Sequence, residues 1–420
     1  MYQVSTLKNG LTVATAEMPH MASVSLGLWV GVGGRHEPAA WNGISHFIEH
    51  LLFKGTRRRS AKQISQDVEG IGGYLNAFTS EENTCFYARA SHDRFAELLD
   101  VLTDMLLNSK CTPVDIDKER NVIKEELAMY LDQPHLHVQE VLNETLWPNQ
   151  PLGRSLTGTE QTLATLTRPH FLSYLRANYV SGSTLITAAG QLQHRQVVKA
   201  VAQVAPRFTS GKRPTFAPAT SNQRAPVIRL VTKATEQTQL ALGIRTCSRH
   251  DERRFALRLL NTILGENMSS RLFQVLREER ALAYSIHSSL AFYDDVGALT
   301  ISAGMDADKL PQALRLIRDE LRRLSARPPG AAELRRARDY IIGQLDLGLE
   351  GSEHQMTWVG EQFLAHGRIV TAAEIKHHLR NVTAADIRGV AREYFLPDRV
   401  SLAVVSPLKS VRGLEKLVSP

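Results

Sequence analysis

His46, Glu49 and His50 are the residues of this 420-residue chain whose types and spacing could do chemistry together. A helix turns about 100° per residue, so it would place these three side chains on one face. The opposite face would carry an apolar stripe of Ile44, Phe47, Ile48, Leu51 and Leu52. Histidines four residues apart can both reach one zinc ion at about 2.0–2.1 Å, and the carboxylate before the second can take a proton from a metal-bound water. The spacing therefore predicts a metal-hydrolase site, the alternative being two solvated histidines.

A catalytic zinc ion needs a third protein ligand. The segment 117–129 is predicted to be a helix, because neither Gly nor Pro interrupts it. Glu119 and Glu126 are seven residues apart and share a face of this helix, whereas Glu125 points about 100° away. A ligand and a carboxylate that orients a histidine would need such a shared face. Spacing alone leaves Glu125 and Glu126 both open as the ligand, and a solvated pair of glutamates is the alternative.

Composition and charge exclude several classes of protein. With 43% hydrophobic and 22% charged residues, the chain has the composition of a soluble globular protein. No signal peptide and no apolar run of about 18 residues is visible, which predicts a cytoplasmic protein without membrane contact, or a mature organellar form. The net charge of +7 comes from short basic clusters without interleaved aromatic residues, so no nucleic-acid partner is expected. Cys85, Cys111 and Cys247 are predicted to be buried and free.

An internal repeat predicts how the elements are organised. Thr167 and Tyr179 match Thr383 and Phe395, each 216 residues further on, and both pairs lead into a strand-like segment. We therefore expect two homologous domains, 1–205 and 227–420, joined by a linker over 206–226. Each mixes strands with amphipathic helices, as at 23–30, 237–244, 94–108 and 309–325. The predicted fold class is α+β: two α/β sandwich domains, each a mostly antiparallel sheet with helices on one face.

The second copy of the repeat lacks the metal-binding pattern. At an offset of 215 residues, His46, Glu49 and His50 correspond to Asn261, Leu264 and Gly265. The metal site is therefore expected in the first domain alone, and the second domain must contribute something else.

The segment from His46 to Thr56, with Glu126 placed 76 residues after His50, resembles the inverted-motif zinc peptidases of the pitrilysin and insulinase type. It is most similar to their short two-domain branch, which includes the mitochondrial processing peptidases and bacterial relatives. The resemblance covers nearly the whole chain. It implies one Zn²⁺ per chain, bound by three ligands, with a general base and an orienting carboxylate: His46, His50 and Glu126; Glu49; and Glu119. By this analogy Glu126 is preferred over Glu125.

The same resemblance implies residues that bind substrate. Asn76, Ala77 and Phe78 lie in a segment similar to the family's edge strand, on which an extended peptide adds as a further strand. An ordinary hairpin is the alternative there. Arg277 and Tyr284 match an Arg and Tyr that reach the substrate from the second domain. A phenol could hydrogen-bond the developing oxyanion, and a guanidinium could hold a carbonyl or carboxylate.

The sequence thus predicts a zinc-dependent endopeptidase that hydrolyses peptides or flexible, unfolded polypeptide segments. The resemblance implies that the two domains form half of a clamshell, so the chain is expected to be a homodimer or a heterodimer with a homologous subunit. Two alternatives stay open. One is a non-catalytic or partner subunit of a heteromeric peptidase complex, and the other is a module that captures peptides without cutting them.

Overall fold

Two mixed β-sheets form the framework of the chain, of which this computed structural model describes residues 2–418. The strands are β1 Tyr2–Thr6, β2 Thr12–Glu17, β3 Ser23–Val30, β4 Tyr74–Thr79, β5 Thr84–Ser91, β6 Thr184–Gly190, β7 Val227–Thr232, β8 Thr238–Thr246, β9 Ala283–Phe292, β10 Gly297–Met305 and β11 Val400–Ser406. The first sheet has the order β1-β2-β6-β3-β5-β4 and the second β7-β11-β8-β10-β9. Within them, β2–β6 and β7–β11 pair in parallel and the other neighbours are antiparallel. The α+β fold class is confirmed.

Helices follow and cover the strands of both sheets. They are α1 Ile44–Leu52, α2 Ala61–Glu69, α3 Phe95–Asn108, α4 Pro113–Asp132, α5 Pro134–Leu146, α6 Glu160–Thr165, α7 Arg168–Asn178, α8 His194–Val204, α9 Arg254–Asn261, α10 Leu310–Ala326, α11 Ala331–Gly348, α12 Ser352–His366, α13 Ala372–Asn381, α14 Ala384–Tyr394 and α15 Glu415–Val418. Two π-helical stretches, Thr262–Glu266 and Phe273–Glu278, lie between α9 and β9. No helix in the described part of the chain is both long and apolar enough to cross a membrane.

The repeat is visible in the order of the strands. Apart from β1, the first sheet runs β2-β6-β3-β5-β4, and the second repeats this order as β7-β11-β8-β10-β9. Thr167 and Thr383, matched in the sequence, each occupy the N-cap position of a helix, α7 and α14. Each of these helices is followed by a fully buried strand, β6 or β11. The sequence repeat therefore corresponds to a structural repeat.

The chain divides into two compact units that are not contiguous in sequence. The first unit comprises the residues up to Leu127, Arg154–Ala217 and Leu347–Val370; the second comprises Ala128–Gly153, Pro218–Asp346 and the residues from Thr371 onward. The boundaries predicted from the sequence, at residues 205 and 227, divide the chain into two continuous segments, whereas each compact unit also contains a helix from the other half. Helix α5 comes from the first half but belongs to the second unit, and α12 comes from the second half but belongs to the first.

The exchanged helices cover a second face of each sheet. In the first unit, Met356 and Val359 of α12 pack against Trp29 on the face opposite the main core. In the second unit, Leu142 and Leu146 of α5 lie in a buried cluster whose other members are Val138, Val141, Trp147, Leu152, Ala241, Ala298, Ala403 and Val405. The predicted layer of helices on one face is present in each unit, and one further helix is added on the other.

The segment predicted as a linker packs in part against the first unit. Between Phe208 and Pro226, all of which are described, the chain forms neither helix nor strand. The Phe216 ring nevertheless lies 3.9 Å below the guanidinium carbon of Arg35 and edge-on to the His36 ring. Cys85, Cys111 and Cys247 are buried and free, as predicted.

Candidate metal centre

Helix α1 presents the H-x-x-E-H residues, and its start is fixed by a buried carboxylate. Gly43 precedes the helix with φ of +93°, a left-handed conformation that glycine adopts readily. The Glu37 side chain accepts hydrogen bonds from the backbone N–H groups of Gly43 and Ser45, both at 2.8 Å. These bonds satisfy amides at the positive end of the helix, where a carboxylate is favoured. The predicted apolar stripe is buried: Ile44, Phe47, Ile48, Leu51 and Leu52.

Helix α4 brings a third donor to the two histidines. The ligand atoms of His46, His50 and Glu126 all lie within 4.8 Å of one another. The Nε2 atoms of His46 and His50 are each 3.7 Å from Oε2 of Glu126. Ligands at about 2.0–2.1 Å in a tetrahedral zinc site are separated by roughly 3.4 Å, so small side-chain movements would suffice to enclose an ion. The donor set of two imidazoles and one carboxylate also fits zinc.

The protonation state of His46 suits a metal ligand. Burial, and then the neighbouring His50 ring, lower the pKa of His46 to about 4. The ring is therefore neutral near pH 7, the form in which histidine binds metals. Its Nδ1 atom is buried and makes no hydrogen bond to any described residue. A neutral ring keeps a lone pair on Nε2, the atom that faces Glu126, available to a metal ion.

Glu119 lies against the second histidine, and its supporting role stays a prediction. Its Oε2 atom lies 3.2 Å from Nδ1 of His50, and its Oε1 atom lies 2.9 Å from Nζ of Lys54. A carboxylate accepts a hydrogen bond from Nδ1–H, which leaves the lone pair of Nε2 for a metal. The sequence prediction missed Lys54, which lies in the turn just after α1, where helical spacing gives no signal.

Glu49 shares the polar side of α1 with the two histidines and is held by one hydrogen bond. The Thr79 hydroxyl donates to its Oε2 atom at 2.5 Å. Burial raises the pKa of Glu49, with a smaller contribution in the same direction from Glu126, while the Thr79 bond and His50 oppose the rise. A carboxylate whose pKa is raised is a stronger base, which is what proton abstraction from water requires. The sequence prediction missed Thr79, which closes the segment that contains Asn76, Ala77 and Phe78.

Strand β4 is an edge strand of the first sheet, and its residues alternate between the two faces. Ala77 packs against the core that contains α1, whereas Phe78 lies on the other face with its ring edge-on to Trp29 at 5.5 Å. The side-chain oxygen of Asn76 accepts the N–H of Ala77 at 2.8 Å. The structure therefore brings Thr79, and not the Asn76 side chain, to Glu49. That Asn76, Ala77 and Phe78 bind substrate stays a prediction.

Arg277 and Tyr284 lie side by side in the second unit. The guanidinium carbon of Arg277 is 4.9 Å from the centre of the Phe273 ring and 6.0 Å from that of Tyr284. Tyr284 lies on β9, an edge strand of the second sheet, and is 77% exposed. Two exposed groups that could contact a polypeptide are thus brought together. Their role in substrate binding stays a prediction.

The positions equivalent to the metal ligands are filled by ordinary packing in the second unit. Asn261 and Leu264 are buried, and a Cβ atom at Gly265 would lie 2.7 Å from Oγ of Ser288. The helix there continues from α9 into a π-helical stretch. The second copy therefore has no set of metal donors at these positions.

Comparison with known proteins agrees with the geometry. Residues 12–160 match the family model described as insulinase, peptidase family M16, and residues 165–341 match the model described as the peptidase M16 inactive domain. Proteins of Streptomyces coelicolor and Mycobacterium tuberculosis, both named uncharacterized zinc proteases, are each 37% identical to this chain. The first alignment covers 96% of this chain and 89% of the relative, and the second covers 98% and 94%.

Solved structures show the same fold. A protease from Helicobacter pylori superposes with a TM-score of 0.91 at 20% identity, covering 97% of this chain and 99% of the other. A peptidase M16 inactive domain from Pseudomonas fluorescens gives a TM-score of 0.90 at 17% identity, with the same coverage. The identity and coverage of the named relatives, together with the two family models, place the whole chain in one group. The chain belongs to the insulinase family of peptidases, peptidase family M16.

Proposed function

We propose that this chain is a zinc-dependent endopeptidase that hydrolyses peptides and flexible segments of unfolded polypeptides. The observation that carries the proposal is the meeting of His46, His50 and Glu126 within 4.8 Å, with Glu49 on the same helix as the two histidines. The relatives named zinc proteases support the same activity. His46, His50 and Glu126 would hold one Zn²⁺.

Each residue around the ion would have a separate role in hydrolysis. When bound, zinc would polarise the scissile carbonyl and make water more acidic. Glu49 would take a proton from the attacking water and later deliver it to the leaving nitrogen. Glu119 would keep His50 in the tautomer that leaves Nε2 free, and Lys54 would hold the Glu119 side chain in place.

The edge strand supports the proposed substrate class. An extended peptide that adds to β4 at Asn76, Ala77 and Phe78 would be held mainly by backbone hydrogen bonds, which any sequence can make. Such a segment must be unpaired, and this favours unfolded or flexible polypeptides. We also propose that Arg277 holds a substrate carbonyl or carboxylate and that Tyr284 hydrogen-bonds the oxyanion.

A second chain of the same kind is proposed as the partner. The resemblance implies that the two domains form half of a clamshell, which supports the association of two such chains, either as a homodimer or as a heterodimer with a homologous subunit. Sedimentation equilibrium of the purified chain would distinguish a dimer from a monomer that awaits its partner.

The function is tested by digesting a flexible, basic peptide with the purified full chain, with and without a zinc chelator, and mapping the products. We expect cleavage that is lost with chelator and regained with Zn²⁺. The Glu49→Gln variant should keep its zinc and lose hydrolysis, whereas Glu69→Gln, an exposed glutamate at the end of α2, should behave as wild type. Zinc-loaded wild type that binds peptide without cutting it would replace the proposal with peptide capture. A purified chain that never retains zinc would rule out the proposed metal site.

A further inference from the structure

Thr79 is the one described residue whose side chain makes a hydrogen bond to the Glu49 carboxylate. An ionised carboxylate can only accept, so the hydroxyl must be the donor. The bond holds Oε2, while Oε1 accepts no hydrogen bond from any described residue. The two oxygens of Glu49 therefore differ in their contacts. Oε2 is held by Thr79, and Oε1 can accept a proton.

We propose that Thr79 is a positioning residue, which clamps Oε2 of Glu49 so that Oε1 is presented to the attacking water. The inference rests on the proposed function, because it assigns a part in the same reaction. A clamp of this kind acts by limiting the rotation of the carboxylate, so that proton transfer starts from one orientation. No bond is formed or broken at Thr79 itself.

The clamp is effective only if Thr79 is itself fixed, and its surroundings fix it. Thr79 is the last residue of β4 and pairs with Thr84 of β5. The hydroxyl of Thr84 is buried and donates to the carbonyl of Val32 at 3.0 Å. The turn that follows is closed by the N–H of Ser80, which donates to the carbonyl of Asn83 at 2.8 Å.

The same turn is tied to the segment that precedes α1. The carbonyls of Ser80 and Glu81 accept the N–H groups of Gly34 and Arg35, at 3.1 and 2.7 Å. Arg35 also forms a buried ion pair with Glu82 at 2.7 Å. Thr79 is thus anchored by β5 and by the segment that leads into α1. Its hydroxyl is therefore held in a fixed position relative to the Glu49 carboxylate.

In this arrangement β4 would have two roles, in substrate binding and in catalysis. The strand is the proposed docking edge for the substrate, and its last residue orients the general base. A peptide bound along β4 would thereby be in register with the group that activates its attacking water. Thr79 therefore lies where the proposed docking strand meets the proposed general base.

The test compares Thr79→Val, which keeps the shape and removes the hydroxyl, with Thr79→Ser, which keeps the donor. We expect Val to lower kcat about 10- to 100-fold with KM within about twofold, since one hydrogen bond to a charged group is lost. Ser should restore kcat to within about threefold of wild type, because its hydroxyl can make the same bond. Zinc content and unfolding temperature are measured for each variant. Thr232→Val, at the end of β7 in the second sheet, is the matched control and should leave kcat unchanged.

Each other outcome overturns the proposal in a distinguishable way. A Val variant with wild-type kcat, or one whose KM alone rises, excludes positioning of the base while leaving the endopeptidase activity intact. A Ser variant as slow as Val shows that the hydroxyl is not what matters. A wild-type chain that cleaves nothing overturns the proposed function, and the clamp with it.

Discussion

The Nδ1 atom of His50 lies 3.2 Å from Oε2 of Glu119, whose other oxygen lies 2.9 Å from Nζ of Lys54. Glu119 is 5% exposed, so its charge is taken out of water and must be compensated by these two neighbours. Lys54 supplies the positive charge, and His50 supplies a donor. Lys54, Glu119 and His50 thus form a series of polar contacts, and the Nε2 atom of His50 at its end faces Glu126.

Replacing Glu119 by Gln should weaken zinc binding about 10- to 100-fold, because an amide can still contact His50 but no longer carries charge. The measurement is a competition titration against a chromophoric zinc chelator. Glu125→Gln is the matched control on the same helix. Glu125 is exposed and outside the donor set, so its affinity for zinc should equal that of wild type. Equal affinities for the Glu119 and Glu125 variants would contradict the supporting role.

The metal-binding pattern could be predicted because its geometry is mostly local. His46, Glu49 and His50 share a face of α1 through helical periodicity, which residue spacing specifies without any tertiary information. Glu119 and Glu126 share a face of α4 for the same reason. That the two helices meet was implied by the resemblance, and the geometry agrees with it. The choice of Glu126 over Glu125 came from the same source.

Contacts between distant segments could not be predicted in this way. Thr79 reaches Glu49 because β4 packs beside α1, and no periodicity relates a strand to a helix 30 residues away. The exchange of α5 and α12 between the units is likewise a tertiary effect. Their sequences predict helices, but whether a helix covers its own sheet or another depends on the shape of both surfaces. For α12, that shape depends on Gly27 and Gly360.

Gly360 allows α12 to lie directly on the first sheet, so Gly360→Ala should destabilise the chain. A Cβ atom there would lie 2.2 Å from Cε2 of Trp29, and the helix would have to move away from a buried face. We expect a loss of about 1–3 kcal/mol, typical of overpacking. This would exceed the gain of about 1 kcal/mol that Ala brings to a helix.

The control for Gly360 is Gly343 of α11, where a Cβ atom would meet nothing within 4 Å. Gly343→Ala should be neutral or stabilising by about 1 kcal/mol, because only helix propensity changes. Unfolding in urea, followed by circular dichroism, measures both variants. If the two substitutions shift stability equally, α12 does not depend on a close approach at Gly360.

Acid should destabilise the chain partly through His36. Burial, and next the charge of Arg213, lower the pKa of His36 to about 4 from 6.5. Its Nδ1 atom accepts the N–H of Gly33 at 3.2 Å, and its Nε2 atom is buried without a hydrogen-bond partner among the described residues. Protonation would therefore remove an acceptor and place a charge in a site that does not solvate it.

The sign of the pH dependence follows from linkage. Between pH 6.5 and 4 the unfolded chain binds a proton at His36 that the native chain does not, so stability falls as the pH falls. His36 should therefore lower the free energy of unfolding by about 2 kcal/mol between pH 7 and pH 5. His36→Gln keeps an acceptor for Gly33 but cannot titrate, so its free energy of unfolding should fall by about 2 kcal/mol less over this interval. The comparison with wild type cancels the contribution of other histidines, such as His46. Parallel stability profiles for the two proteins would show that His36 is solvated well enough to titrate normally.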